Sequence, residues 1–516
     1  MTKQKKNTPL VLAILDGWGL SKPNKGNAIT LAKTPNFDRF WKEYSHTKLK
    51  ASGKDVGLPR NQFGNSEAGH LNLGAGRVVK QDSLLINNAI DKGRFSKNSA
   101  FLSAIRHVKT NKSTMHLMGL LSGSESAHAE RKHIFALLDL LAREKVGKIC
   151  IHLFTDGRDA PQHAAINFIN DLTLGFKNGE QIVSIMGRFY AMDRNKHWER
   201  TEEAYDLLTL GQGHLTTSAK EAIIQAYNRN ETDEFLKPTA IAKDKKTVET
   251  INTNDVIIFY NLRSDRGRQL AKCFVQADFN KMNLGSFKRK KVLKNIRFVA
   301  MTDFGPDLGD ILSAYPSEDI KDTLPMALKD LRQLYISESE KFAHVTYFFN
   351  GGYADHVGGE SRLMIPSPNV RSYAEKPEMS IVEMTKELVK YIKTDSFDFI
   401  CVNYPNPDMV GHTGNLQAGI KAVEAVDQYL AILYDEIKKK NGTLMIVADH
   451  GNIEEMIDLE TGEIDTEHSA NLVPLIIVSS HKYRLITGAL ANVAPTILEI
   501  LELPKGKLMT AKSLIK

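Results

Sequence analysis

Cysteine is scarce in this chain, with three in 516 residues, at positions 150, 273 and 401. They form no pairing motif, and Cys150 and Cys401 lie inside apolar runs, which excludes a disulfide scaffold and leads us to expect buried thiols in a reducing compartment. Long apolar runs are missing too. After the basic Met1-Thr2-Lys3-Gln4-Lys5-Lys6, the run Leu10–Leu15 holds six residues before Asp16 ends it, too short for an export signal or a membrane span. No other stretch reaches span length, and a cytoplasmic protein is expected. Low-complexity segments and solenoid repeats are absent. No strong excess of one charge exists either: a formal charge of +7 and a pI near 8.9 are modest over this length and suit an anionic small substrate. The densest basic run, Lys288-Arg289-Lys290-Lys291 with Lys294, has no interleaved aromatic residue, so it reads as a solvated loop and not as a nucleic-acid surface.

What remains is the composition of an ordinary folded protein, 42% apolar and 25% charged, with a mean hydropathy of −0.29. The length predicts two domains of roughly 200–300 residues each. Apolar runs of strand length, bounded by turn residues and separated by helix-like periodic segments, predict parallel sheets with helical crossovers. Pro9–Leu15 ends in Asp16-Gly17, Phe397–Asn403 leads to Asp408, Thr443–Ala448 ends in Asp449-His450-Gly451, and Val473–Val478 ends in Ser-Ser-His. Ligands of open α/β sheets bind beyond the carboxyl ends of the strands, so three of these runs deliver an aspartate to the functional edge. The middle of the chain differs. There Met115–Leu121 leads to His128, Lys148–Thr155 to Asp156-Gly157-Arg158-Asp159, Gln181–Met186 to Arg188, Asp255–Asn261 to Arg263 and Arg266, and Ile296–Met301 to Thr302-Asp303. If the aspartates and histidines form one site, both ends of the chain share a sheet and the middle is an insertion. Its crossings are expected near residues 78–84 and 305–317, the latter around Gly305-Pro306-Asp307 and Pro316.

Gly64-Asn65-Ser66-Glu67-Ala68-Gly69-His70 reads as a polar turn with one hydroxyl, Ser66, among small residues that permit close approach of a bound group. A serine in such a loop also serves as a cap or turn residue. Its company raises the chemical reading. Asp408 and His412 lie four apart, on one face if the segment turns helical after Pro407, and with His468 they give a carboxylate and two imidazoles. Asp16, Asp449 and His450 supply a second cluster that Ser66 can complete. Mixed oxygen and imidazole ligation suits Mn²⁺, Zn²⁺ or Fe²⁺ better than Mg²⁺ or Ca²⁺, and paired metals clamp the oxygens of a phosphoryl transfer.

Five motifs carry a resemblance: Leu15-Asp16-Gly17-Trp18-Gly19, the Gly64–His70 run, Asp156-Gly157-Arg158-Asp159, the segment Asn403–Gly414 with Asp408 and His412, and Ala448-Asp449-His450-Gly451-Asn452. Together they resemble the cofactor-independent (2,3-bisphosphoglycerate-independent) phosphoglycerate mutases of the alkaline phosphatase superfamily, from about residue 9 to the end. The resemblance implies an α/β protein with an alkaline-phosphatase-like domain from both chain ends, 1–80 and 312–516, and an inserted α/β phosphotransferase domain, 81–311. It implies interconversion of 3-phosphoglycerate and 2-phosphoglycerate in glycolysis and gluconeogenesis through a phosphoserine at Ser66, with two Mn²⁺ ions and no 2,3-bisphosphoglycerate. One Mn²⁺ would be held by Asp408, His412 and His468, the other by Asp16, Ser66, Asp449 and His450. Substrate contacts would be His128, Arg158, Asp159, Arg188, Arg194, Arg263, Arg266 and Lys341, with Asp159 as acid/base and Lys341 offsetting phosphoryl charge. The expected partner is a small-molecule substrate, with no nucleic acid and no membrane, and the chain is expected to act as a monomer.

Two departures from the family pattern stand out. Gly123-Ser124-Glu125-Ser126-Ala127-His128-Ala129-Glu130 replaces an Asp-Gly-Gly-Val-His-Ser-His run, which puts the role of His128 in question. Asn195-Lys196-His197-Trp198 replaces an Asp-Asn-Arg-Trp run and keeps Arg194. A metal-dependent phosphohydrolase would use Ser66 and the metals in the same way but release phosphate, which the arginine-bearing insertion argues against. A non-catalytic carrier is the other alternative, and the intact nucleophile argues against that.

Overall fold

Strands form where the apolar runs predict them, because a run of β-branched and aliphatic residues buries both faces between helical layers. The computed structural model describes residues 8–516 apart from 124, 125, 127, 178, 243, 245, 306, 307 and 317–319. The basic residues 1–6, part of the altered loop at 124, 125 and 127, and the break at Pro306-Asp307 therefore lie outside the described residues. Numbered in chain order, the strands are β1 (Leu10–Leu15), β2 (Ser45–Lys50), β3 (Met115–Leu121), β4 (Ile149–Thr155), β5 (Gln181–Gly187), β6 (His214–Thr216), β7 (Thr239–Ile241) and β8 (Val256–Phe259). They continue with β9 (Arg297–Thr302), β10 (Ile311–Tyr315), β11 (Gln333–Glu338), β12 (Ser361–Ile365), β13 (Phe399–Tyr404), β14 (Thr443–Val447), β15 (Val473–Val478) and β16 (Gly488–Ala489).

The chain divides into two compact units, one of residues 1–81 and 318–516, the other of residues 82–317. The first contains a sheet in the order β12-β11-β13-β1-β14-β15-β2-β16. Strands β12 to β14 in that order run parallel, whereas β15 is antiparallel to both β14 and β2. The second unit contains a sheet in the order β10-β9-β8-β3-β4-β5-β7-β6, parallel except between β5 and β7. β10 pairs in parallel with β9 from Ile311 to Tyr315 and forms one edge of the second sheet.

The antiparallel setting of β15 departs from the expected parallel pairing and decides which of its ends lies near the aspartates. The residues after Val478 lie at the opposite edge from Asp16 and Asp449, and His468, which precedes β15, comes to the functional edge instead.

In the first unit the central strands are covered by long helices such as Leu416–Lys439. Its buried residues Ala422, Val423, Val426, Leu430, Leu433 and Ile437 recur at helical spacing, and Asn415 caps its start by accepting from the Ala418 N–H. Large side chains such as Phe40, Phe349 and Phe399 are fully buried here, each contributing roughly 1.5–3 kcal/mol by leaving water. All three cysteines are buried and unpaired, and burial pushes the Cys150 thiol up to about 12. The basic run is used structurally. Arg289 donates to the carbonyls of Cys273 and Ala277, and Lys291 to those of Thr209 and Ile251, so these side chains satisfy helix ends and loops.

Candidate metal centre and anion site

Ser66 is not in a free turn. It is the first residue of the helix Ser66–Ala75, whose N-cap, Asn65, accepts from the Ala68 N–H at 2.9 Å. The helix starts there because Asn65 is extended and its side chain takes up an otherwise orphaned amide. Gly69 faces Asp449 so closely that a Cβ would lie 2.8 Å from the Asp449 Cβ, so the glycine lets the helix reach the aspartate. Gly17, at φ +75° behind Asp16, leaves the same kind of space for Asp408, 2.9 Å from where its Cβ would stand.

Lys341 Nζ donates to Ser66 Oγ at 2.5 Å, to Asp16 Oδ1 at 2.9 Å and to Asp408 Oδ2 at 2.6 Å. The Ser66 hydroxyl donates to Asp16 Oδ1 at 3.2 Å, and its oxygen lies 2.9 Å from His450 Nε2. His450 Nε2 is also 3.3 Å from Asp16 Oδ1 and 3.5 Å from Asp449 Oδ2, so Asp16, Ser66, Asp449 and His450 converge. Asp408 follows β13 in the helix Asn406–Gly411, which starts before Pro407, and His412 caps its end one turn later. Asp408 Oδ1, His412 Nε2 and His468 Nε2 form a triangle with sides of 3.2, 3.3 and 3.4 Å.

The triangle fits a divalent cation, and around Asp16 two overlapping sets of ligand atoms also come close enough together to hold one, Asp16 with Asp408 and His450, and Asp16 with His70 and Asp449. Ligands arranged tetrahedrally at about 2.1 Å from one ion stand about 3.4 Å apart, as the triangle does. His412 Nδ1 donates to the Thr466 carbonyl at 2.7 Å and His450 Nδ1 to the Gly451 carbonyl at 3.2 Å, which turns each Nε2 inward, where a cation would take the place of a second ring proton. Asp449 Oδ2 is buried and accepts no hydrogen bond. Three buried carboxylates, Asp16, Asp408 and Asp449, outnumber the one ammonium, Lys341, so the site draws positive charge toward itself. That field shows in the titration of its members. Burial opposes charge on His450, yet Asp449 and Asp16 outweigh it and raise the ring to about 9. Burial likewise opposes charge on Lys341 and Asp408, and their mutual attraction holds the lysine above and the aspartate well below their ordinary values.

The second unit gathers the other candidates. Arg188 Nη1 lies 2.6 Å from Asp156 Oδ1 and 2.9 Å from Asp159 Oδ2, both at the end of β4. Asp156 Oδ1 accepts from the amides of Arg158 and Asp159, which shapes the turn, and its Oδ2 accepts from Ser122 at 2.5 Å. His128 Nε2 is 4.0 Å from Asp159 Oδ2, so the altered loop still delivers this histidine to the acid/base candidate. Ser126, inside that loop, donates to the same Asp159 oxygen at 3.1 Å and accepts from the His128 N–H. Arg194 Nη1 meets Asp265 Oδ2 at 2.6 Å, and Arg263 Nε lies 3.6 Å from Asp265 Oδ1. Burial and then the charges of Arg263, Arg188, Arg266 and Arg194 hold His128 well below its ordinary value, so its imidazole is neutral. Burial, with Arg194, Arg188 and Arg158, likewise lowers Arg266 to about 10. The gathering of Arg188, Arg194, Arg263 and Arg266 about His128 is an arrangement suited to an anion.

Of the expected substrate contacts, Lys341 alone stands in the first unit, among the carboxylates. Sequence reasoning missed several supporting residues. His70 Nδ1 donates to the Ser66 carbonyl at 2.8 Å and stands 3.2 Å from Asp449 Oδ2, while its Nε2 accepts from Asn403, which also donates to Asp16 Oδ2. Asn452 donates to Asp408 Oδ1 at 3.3 Å. All three stood inside the motifs, but only the fold shows that they orient ligands. Asp265 and Ser126 had no sequence signal beyond nearness to an arginine and a histidine.

The chain matches the Metalloenzyme superfamily over residues 8–505. It is 46% identical to the 2,3-bisphosphoglycerate-independent phosphoglycerate mutase of Clostridium novyi (strain NT) over 98% of this chain and 99% of that protein. With the protein of the same name from Thiobacillus denitrificans it shares 44% identity over 99% of each. A crystal structure of Leishmania mexicana phosphoglycerate mutase, determined at low cobalt concentration, matches the fold with a TM-score of 0.85 at 30% identity, over 100% of this chain and 98% of that one.

Proposed function

The chain belongs to the 2,3-bisphosphoglycerate-independent phosphoglycerate mutases of the Metalloenzyme superfamily, and from that premise we propose how its own residues interconvert 3-phosphoglycerate and 2-phosphoglycerate. Ser66 is the acceptor: its Oγ gives up its proton and forms a bond to phosphorus as the bond to the substrate oxygen breaks, and the glycerate oxygen left behind takes a proton in exchange. The same glycerate then attacks the phosphoserine through its other hydroxyl, losing a proton and freeing Ser66. The observation that carries this reading is the setting of Ser66 Oγ, within 3.2 Å of Asp16, His450 and Lys341 and at the start of a helix. Lys341 donates to the oxygen on which negative charge develops, and the amides of the helix N-terminus favour an anion there.

Two divalent cations, Mn²⁺ in our proposal, would be held by Asp408, His412 and His468 and by Asp16, Ser66, Asp449 and His450, and when bound they supply positive charge at the serine and phosphoryl oxygens. Arg158, Arg188, Arg194, Arg263 and Arg266 bind the carboxylate and phosphate of the substrate through charge-assisted bonds and retain glycerate between the two transfers. Asp159 exchanges protons with the glycerate hydroxyls, and the neutral His128 beside it offers one ring nitrogen as donor or acceptor. We further propose a monomeric, cytoplasmic enzyme with neither nucleic acid nor membrane as partner. Three unpaired buried thiols suit a reducing compartment, and among the described residues no helix is long and apolar enough to cross a membrane.

Product analysis with 3-phosphoglycerate tests the reading. We expect 2-phosphoglycerate; free phosphate as the main product makes the protein a hydrolase, and no turnover makes it a carrier.

A further inference from the structure

Arg194 sits in the turn between the short helix Arg188–Ala191 and the helix Trp198–Leu210, and that turn is folded around one buried carboxylate, Asp193. Asp193 Oδ1 accepts from the amides of Asn195 and His197, both at 3.0 Å, and from Gln269 Nε2 at 2.9 Å. Its Oδ2 accepts from His197 Nδ1 at 2.9 Å and from Arg200 Nη1 at 3.3 Å. Five donors on two oxygens over-determine the turn. The backbone there needs it: Lys196 holds φ +63°, a left-handed conformation that an ordinary residue resists, and its amide is pinned by Gln269 Oε1 at 2.9 Å.

Gln269 lies at the start of the helix Arg268–Val275, directly after the segment that carries Arg263 and Arg266. Arg266 Nη1 in turn donates to the carbonyl of Met192, the residue before Asp193, at 3.4 Å. Asp193 and its neighbour thus tie the Arg194 turn to the Arg263–Arg266 segment, although Asp193 itself meets none of those guanidiniums. The chain also departs from the resembled pattern here. His197 stands where that pattern has an arginine, and here its Nδ1 is a side-chain donor to Asp193.

We propose that Asp193 is a positioning residue for the anion site, orienting Arg194 and Arg266 through the turn that it folds, with His197 as its side-chain partner in place of an arginine. The proposal rests on the mutase reading and adds to it the residue pair that sets the arginine geometry. Losing a charge-assisted donor of this kind commonly costs about tenfold in the step that depends on it.

The test uses the full chain as wild type, His197→Ala, His197→Arg and Asp193→Asn. It measures kcat and KM for 3-phosphoglycerate, the ratio of free phosphate to 2-phosphoglycerate, and the melting temperature. His197 is half-exposed, so its alanine variant is expected to fold even if the Asp193 variant does not. His197→Ala is expected to raise KM about tenfold with little change in kcat, and to raise the phosphate ratio, because glycerate is held less well. His197→Arg restores a donor and should recover both. A third measurement, calorimetric binding of 3-phosphoglycerate in the Ser66→Ala background with and without His197→Ala, does not depend on turnover and should show the same tenfold loss. Wild-type protein that makes no 2-phosphoglycerate sinks the mutase reading. Unchanged KM, phosphate ratio and binding in the folded His197→Ala variant, or no recovery in His197→Arg, overturns the positioning role.

Discussion

The Nε2 atoms of His412 and His468 face each other at 3.2 Å, each within 3.4 Å of the same Asp408 oxygen. Two lone pairs and a carboxylate at that separation repel unless a cation joins them. Chelation should therefore abolish activity, and added Mn²⁺ should restore it. Both rings must be neutral to ligate, so the Mn²⁺ needed for half-activity should rise as pH falls toward and below the ordinary imidazole value of about 6.5. Titrating Mn²⁺ at several pH values checks this; a half-activating concentration that stays constant from neutral to acid pH would remove the histidines from the metal centre.

Ser66→Ala should lower mutase turnover by several orders of magnitude, on the order expected for removing a nucleophile. Metal content and melting temperature should change little, since only one of several donors is lost and the helix keeps its Asn65 cap. Near-normal turnover in this variant would end the phosphoserine proposal.

If glycerate stays bound between transfers, the phosphoryl group moves within one molecule. Turnover of phosphate-labelled 3-phosphoglycerate in the presence of unlabelled glycerate should put little label on the added glycerate. Replacing Arg263 and Arg266 with alanine should raise the share of free phosphate, unless transfer to Ser66 fails first. Free exchange of label in the wild-type enzyme would contradict retention.

His133, buried in the helix Arg131–Arg143, donates from Nε2 to Asn87 Oδ1 at 3.2 Å, and its Nδ1 has no partner. Burial, with Lys132 adding to it, pushes the ring down to about 3. The unfolded chain takes up this proton near 6.5, so the stabilising contribution is complete above that pH and is lost steadily as pH falls from about 6.5 toward 3. Urea midpoints should fall between pH 7.5 and 4.5, and His133→Asn should flatten that fall. Buried His116 and His152, also depressed by burial, keep part of the slope in the variant. Identical slopes in both proteins would show that His133 is not responsible.

Much of this was legible in order along the chain. Central strands such as β1, β13 and β14 are continuous apolar runs because both faces are buried, and the aspartates that follow them are found where the runs stop. Strands β2 and β12 were not legible. Ser-His-Thr-Lys-Leu-Lys and Ser-Arg-Leu-Met-Ile lie toward the sheet edges, expose alternate or most side chains, and so carry polar residues that hide the pattern. Ser66 was legible as a special hydroxyl but not as the start of a helix, because glycines at 64, 69 and 74 argue for a loop until their close neighbours are known.

The sequence alone determined which atoms are available: three aspartates, three histidines, a serine and a lysine for one centre, and five arginines with an aspartate and a histidine for the other. Several of these, such as Asp16, Asp449 and His450, follow apolar strand runs directly and are legible for that local reason, whereas Lys341 and Arg194 came only with the family resemblance. The tertiary structure decided which atoms meet. His468 joins Asp408 because β15 runs antiparallel, His70 and Asn403 link Ser66 to Asp16 and Asp449 across hundreds of residues, and Asp193 gathers five donors from two helices and a turn. Such meetings depend on strand direction and on the approach of distant backbones, which no spacing along the chain encodes.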